Sequence, residues 1–162
     1  MGKAARDDLY ERDFFAWTQD QAARLRALGG DNRFDAERVA EEIEDLGASA
    51  RRAVESHLLN MLVHLLKLAH SPADQPRAGW IDEVLRHQGE AGIHYTPSMR
   101  QYVDLDRIWW RARHRAHVSL VNHGEAGLAG APANPFSLDE LLVDAFDPGA
   151  AKDKIRQAAG DQ

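Results

Sequence analysis

One apolar seam constrains this chain more than anything else in it. Val39, Ile43, Leu46, Ala50, Val54, Met61, Leu65 and Leu68 recur at steps of three and four, with His57 filling one step. That spacing belongs to one face of a long α-helix, and strand-like alternation is nearly absent elsewhere. Beyond Leu58 the apolar arc widens, because Leu59, Leu62 and Leu66 join it. A helix apolar over so much of its circumference belongs in the middle of a bundle. Gly47 marks a bend or a close contact within it.

The remaining helices follow from their punctuation. A first helix is expected from about Asp8 to Leu28, with Asp8 and Glu11 at capping-box spacing and a stop at Gly29–Gly30. The long helix starts near Asp35. Pro72 and Pro76 mark a loop, and Trp80, Ile81, Val84 and Leu85 open a shorter third helix whose end Gly89 and Gly92 weaken. Thr96–Pro97 suits the start of a fourth helix, running to about Asn122. Its inner face is Tyr102, Leu105, Ile108, Trp109, Ala112, Ala116 and Leu120. Residues 124–135, rich in Gly, Ala and Pro, read as a mobile loop. Ser137-Leu-Asp-Glu140 is a full capping box that starts a short last helix, stopped by Asp147–Pro148–Gly149. The expected fold is all-α: a bundle of four main helices with a long central second helix, plus a short capped helix near the C-terminus. Residues 8–148 form the domain, 1–7 a flexible start, and 149–162 a polar tail open to fraying.

Composition narrows the chemistry. The 162 residues include no cysteine, which excludes disulfides, thiolate metal sites and cysteine nucleophiles. Twenty Lys and Arg against 26 Asp and Glu give a net charge of −6, which argues against a broad grip on nucleic acid or anionic lipid. The longest apolar run, residues 58–69, is too short and too interrupted to span a membrane. Residues 1–8 lack the apolar core of a signal peptide, so a soluble cytoplasmic protein is expected. No glycine-rich phosphate loop, nucleophile elbow or HExxH motif is present, so no motif implies a cofactor or a catalytic class.

Four constellations remain. Glu41, Glu44 and Asp45 share a helix face and could hold a cation; the ordinary reading is a solvated acidic face. Asn60, His64, Lys67 and Ser71 line a polar stripe, with His57 at its edge. The stripe could serve acid–base chemistry, though satisfied polar groups at a helix contact are the commoner case. His114 and His117 could share a metal with His57 or His64. Finally, residues 107–115 carry four arginines and two tryptophans with no acid. Arg107, Trp110, Arg111 and Arg115 are the candidate binding residues. Like charges at i, i+4 repel, so this ridge calls for a partner, whether an internal acid, a second subunit or a ligand. Internal or subunit pairing is favoured over nucleic acid, since residues 31–55 hold eight acids against four arginines.

Leu9-Tyr10-Glu11, Asp13-Phe14, Trp17, the run Glu41-Glu42-Ile43-Glu44-Asp45-Leu46-Gly47, Arg51-Arg52 and His64-Leu65-Leu66-Lys67 resemble the bacterial domain of unknown function family 29. Trp80-Ile81, Pro97-Ser98-Met99 and the run from Phe136 to Leu142 fit the same order. The resemblance implies an all-helical bundle, and no activity, cofactor or catalytic residue. The leading functional expectation is therefore a non-enzymatic binding or protein-interaction module that self-associates, as a homo-oligomer or with a protein partner and no membrane. The alternative is a metal-dependent or acid–base enzyme with a groove lined by Glu41, Glu44, His64 and Lys67.

Overall fold

A computed structural model describes residues 3–28 and 33–160, with the side chains of residues 3–7 left aside. The chain is all-α, with no strand among the described residues. In order it forms α1 (Lys3–Arg12), α2 (Phe14–Ala27), α3 (Ala36–His70), α4 (Arg77–His94), a 3-10 turn (Pro97–Gln101), α5 (Leu105–Asn122), α6 (Leu138–Leu141) and α7 (Pro148–Gly160). The four main helices are α2 to α5. None of the described helices is long and apolar enough to cross a membrane. The chain divides into two compact units, Met1–Ala53 with His94–Val103, and Val54–Ile93 with Asp104–Gln162.

In the first unit the expected single first helix is two. The break is at Asp13, whose carboxylate accepts from the Ala16 amide (3.0 Å) and so caps α2. The same carboxylate accepts from the amide and the hydroxyl of Ser98 (2.9 and 2.6 Å). These hydrogen bonds hold the Asp13 carboxyl below its ordinary range, against the upward push of partial burial. Asp8 and Glu11 are not a cap, because α1 already runs from Lys3, inside the stretch 1–7 expected to be flexible. Asp8 pairs with Arg12 one turn on instead. The stop expected at Gly29–Gly30 lies outside the described residues.

The first half of α3 buries a line one step over from the expected seam. Ala40 and Gly47 are buried, each one step past an exposed seam residue, Val39 and the 57% exposed Leu46; at Val54 the expected seam itself is buried. Small residues win this face because α2 comes close: a Cβ at position 47 would overlap the Thr18 hydroxyl and lie 3.3 Å from the Phe15 ring.

In the second unit the seam is buried as expected, through Leu58, Leu59, Met61, Leu62, Leu65, Leu66 and Leu68. Arg77 closes the end of α3 by donating to the carbonyls of Leu68 and Ser71. Helix α4 continues through Gly89 and Gly92 to His94, since Val84, His87, Gln88 and Ala91 give it a buried face. The fourth main helix starts later than expected. Pro97 opens the 3-10 turn, and Asp104 caps α5 by accepting from the Arg107 amide. Ile108, Trp109, Ala112, Ala116 and Leu120 form its inner face; Tyr102, outside the helix, is exposed.

Residues 124–135 are irregular but held. Trp109 Nε1 donates to the Pro132 carbonyl (3.0 Å), and Arg113 donates to the carbonyls of Ala129 and Gly130. Ser137 and Glu140 form the capping box, yet α6 lasts one turn. Asp147–Pro148–Gly149 begins a helix rather than ending one: Asp147 accepts from the amides of Gly149 and Ala150, and proline at the first position is already set for helix. The expected fraying tail is thus α7, anchored by buried Ala151 and Ile155 and by Arg156 donating to the Ala69 carbonyl (2.8 Å).

His70, at the end of α3, gives the fold an acid limb. Burial lowers its pKa from the ordinary 6.5, and Arg113 and Arg156 lower it further. The unfolded chain therefore takes up this proton first as pH falls. Its stabilising contribution is complete above about pH 6.5 and declines as pH falls toward the lowered folded value, with a slope of at most about 1.4 kcal/mol per pH unit. Urea unfolding at pH 7 and pH 5 should show a smaller loss for His70→Gln than for the unaltered chain. An equal loss in both would rule His70 out as the source.

Candidate functional site

The second unit brings together one constellation of titratable side chains. His57 and His64 stand two turns apart on α3, and Glu83 and His87 stand one turn apart on α4. The Nδ1 atoms of His57 and His87 are 2.9 Å apart. The rings of His64 and His87 are nearly parallel at 6.3 Å. Arg86 donates to His87 Nε2 (3.0 Å) and also pairs with Glu83. A nitrogen that accepts from a guanidinium carries a lone pair, so the His87 proton sits on Nδ1 and is donated to His57 Nδ1. His87 is 7% exposed. Burial lowers the His64 pKa to about 4, with Lys67, His87 and Arg86 adding to it and Glu83 opposing. Burial likewise lowers that of His87, so both are neutral at pH 7. His64 Nδ1 is buried with no hydrogen-bond partner.

The other expected site residues go elsewhere. Glu44 forms a two-pronged ion pair with Arg26 (2.6 and 2.9 Å), which lowers its pKa, and Glu41 pairs with Arg38. Lys67 lies over the Trp80 ring, 4.7 Å from its centre. His117 closes against Gly127, and His114 is exposed beside the arginines of α5. Sequence reasoning found His57 and His64 but missed Glu83 and His87. The signal was available as an acid and a histidine one helical turn apart.

The second constellation is the outer face of α5. Arg107, Trp110, Arg111, His114 and Arg115 line an open hollow. Trp110 is 47% exposed, and Val118 and Val121 extend the same face. Arg107, Arg111 and Arg115 form no ion pair among the described residues. Among the described residues, the internal acids expected to neutralise this ridge are not paired with it. Arg113, on the opposite side, is buried, and its guanidinium lies 5.9 Å from the centres of both Trp109 and Trp110.

Among the described residues, fold and surface together define an all-helical protein with a cationic face that forms no ion pair and a histidine–carboxylate cluster. The chain belongs to the domain of unknown function family DUF29, whose model matches residues 9–147. It is similar to an alpha-helical protein of unknown function from Rhodospirillum rubrum, at 33% identity and a TM-score of 0.84, over 90% of this chain and 96% of that one. No functionally curated protein matches the chain.

Proposed function

We propose that the chain is a helical interaction module that self-associates head to tail. The cationic face of α5 in one copy docks on the acidic first half of α3 in the next. The observation that carries this is that Arg107, Arg111 and Arg115 form no ion pair among the described residues, beside half-exposed Trp110. Three like charges along one ridge repel unless a partner neutralises them. The chain supplies that partner chemistry on α3. Glu42 and Asp45 are exposed and form no ion pair among the described residues, and Val39 and Leu46 are exposed on the same face. Each face thus combines unpaired charge of one sign with exposed apolar side chains, a pattern that marks interaction surfaces. The two patches differ, so the contact is heterologous, and copies add in a ring or a row.

An enzymatic groove has weaker support, since Glu44 and Glu41 are engaged by Arg26 and Arg38. Light scattering over a range of protein concentrations tests the proposal. The mean mass should rise with concentration at low salt and fall toward the monomer near 1 M salt, where screening acts within about 3 Å. Arg111→Glu with Arg115→Glu should remove the rise. A monomer at all concentrations would contradict it, and salt-sensitive retention of that monomer on DNA would assign the ridge to nucleic acid instead.

A further inference from the structure

The histidine–carboxylate cluster is independent of that surface. Ligand atoms of His64, Glu83 and His87 all lie within 4.8 Å of one another. Two observations beside that spacing favour a cation. The buried Nδ1 of His64 meets no hydrogen-bond donor or acceptor, a costly state for a polar atom out of water. The Nε2 lone pair of His87 is aimed by the hydrogen bond that its other nitrogen makes to His57. Metal-binding histidines are typically held this way, with the second ring nitrogen engaged by a neighbour that fixes tautomer and orientation.

We infer that His64, Glu83 and His87 form a binding site for a divalent transition metal of the zinc type, with His57 as a positioning residue and Arg86 as a displaceable cation. The donor set selects the metal class. Neutral imidazole suits zinc and its neighbours, while calcium and magnesium prefer all-oxygen surroundings. Two histidines and one carboxylate leave a fourth position open, the pattern of sites where water or a small ligand completes the coordination. Donors around a tetrahedral zinc sit roughly 3.4 Å apart, given bonds of about 2.0–2.1 Å. Glu83 therefore turns inward on binding, and its side chain, 41% exposed, has room to do so. Arg86 now satisfies both Glu83 and the His87 lone pair. A metal replaces that guanidinium, and the two cations exclude each other.

The test uses the full chain stripped with chelator and titrated with Co2+ and then Zn2+. Co2+ should bind at one equivalent with the visible absorption of a four-coordinate ion, and Zn2+ should displace it; Mg2+ should not. Glu83→Gln, a surface change that leaves the core intact, and His64→Ala should each weaken binding at least tenfold. His57→Ala should weaken it roughly tenfold and alter the Co2+ spectrum, and His57→Gln, which keeps an acceptor, should recover most of both. Arg86→Gln should tighten binding several-fold. Absence of one-equivalent binding in both the unaltered chain and Arg86→Gln would overturn the inference. So would binding that Glu83→Gln and His64→Ala leave unchanged.

Discussion

Gly47→Ala should destabilise the chain by about 1–3 kcal/mol, the usual range for overpacking a filled interior. The sign is the informative part, because alanine is favoured over glycine within a helix by up to ~1 kcal/mol. The added methyl would overlap the Thr18 hydroxyl and lie 3.2 Å from Thr18 Cβ and 3.3 Å from Phe15 Cδ2. Thr18 cannot give way cheaply. It is fully buried, and its hydroxyl donates to the Phe15 carbonyl at 2.7 Å. Gly89 and Gly92 of α4 provide the contrast, since a Cβ at either meets nothing within 4 Å. Gly89→Ala and Gly92→Ala should each stabilise by up to ~1 kcal/mol. Urea midpoints of the three variants decide the matter. A stabilised Gly47→Ala would mean that α2 does not approach α3 as described.

Trp109→Ala should be the most damaging single substitution, at about 3–5 kcal/mol. The indole is 1% exposed, meets the edge of Phe136 at 6.4 Å and donates to the Pro132 carbonyl. Its removal leaves a large cavity and an unmet carbonyl under the segment that Arg113 also holds. Trp109→Phe keeps most of the volume and loses the N–H, so it should cost roughly 1–3 kcal/mol. For a chain of this size, each kcal/mol lowers the melting temperature by about 2–4 °C. Thermal melts should therefore rank the unaltered chain above Trp109→Phe and that above Trp109→Ala. If Trp109→Ala melted like the unaltered chain, the indole could not be the anchor of residues 129–132.

The helical class, the long α3 and the capping box at Ser137 were legible because each depends on local spacing. The break at Asp13 was not, because the apolar period runs on through Phe14 and Trp17 and the aspartate's second role depends on Ser98, 85 residues away. The start of α7 was misread as a stop, since Asp–Pro–Gly ends helices and begins them with equal ease until the next partner is known. Here Ala151 and Ile155 find a buried environment. The seam in α3 had the right period but, in its first half, the wrong face. Large Val39 and Leu46 face solvent, while Ala40 and Gly47 take the contact that close packing demands.

Half of the histidine–carboxylate cluster lies on α4 and was not legible as a site. Gly89 and Gly92 suggested a weak end to α4, and neither Glu83 nor His87 was singled out on it. Buried Gln88, donating to the Val143 carbonyl, and buried Ala91 hold the helix past both glycines. The arginine ridge was legible as a charge pattern, but charge counting could not show that Glu37, Glu41 and Glu44 pair with Arg26 and Arg38 instead.

Charge reversal on both faces tests head-to-tail association most directly. One variant carries Arg111→Glu with Arg115→Glu, the other Glu42→Lys with Asp45→Lys. Each alone presents like charges on its two docking faces and should stay monomeric by light scattering. Mixed at equal concentration, they should recover a mass well above the monomer, lost again at high salt. A mixture that stays monomeric, or single variants that associate as the unaltered chain does, would contradict docking of the α5 ridge on α3.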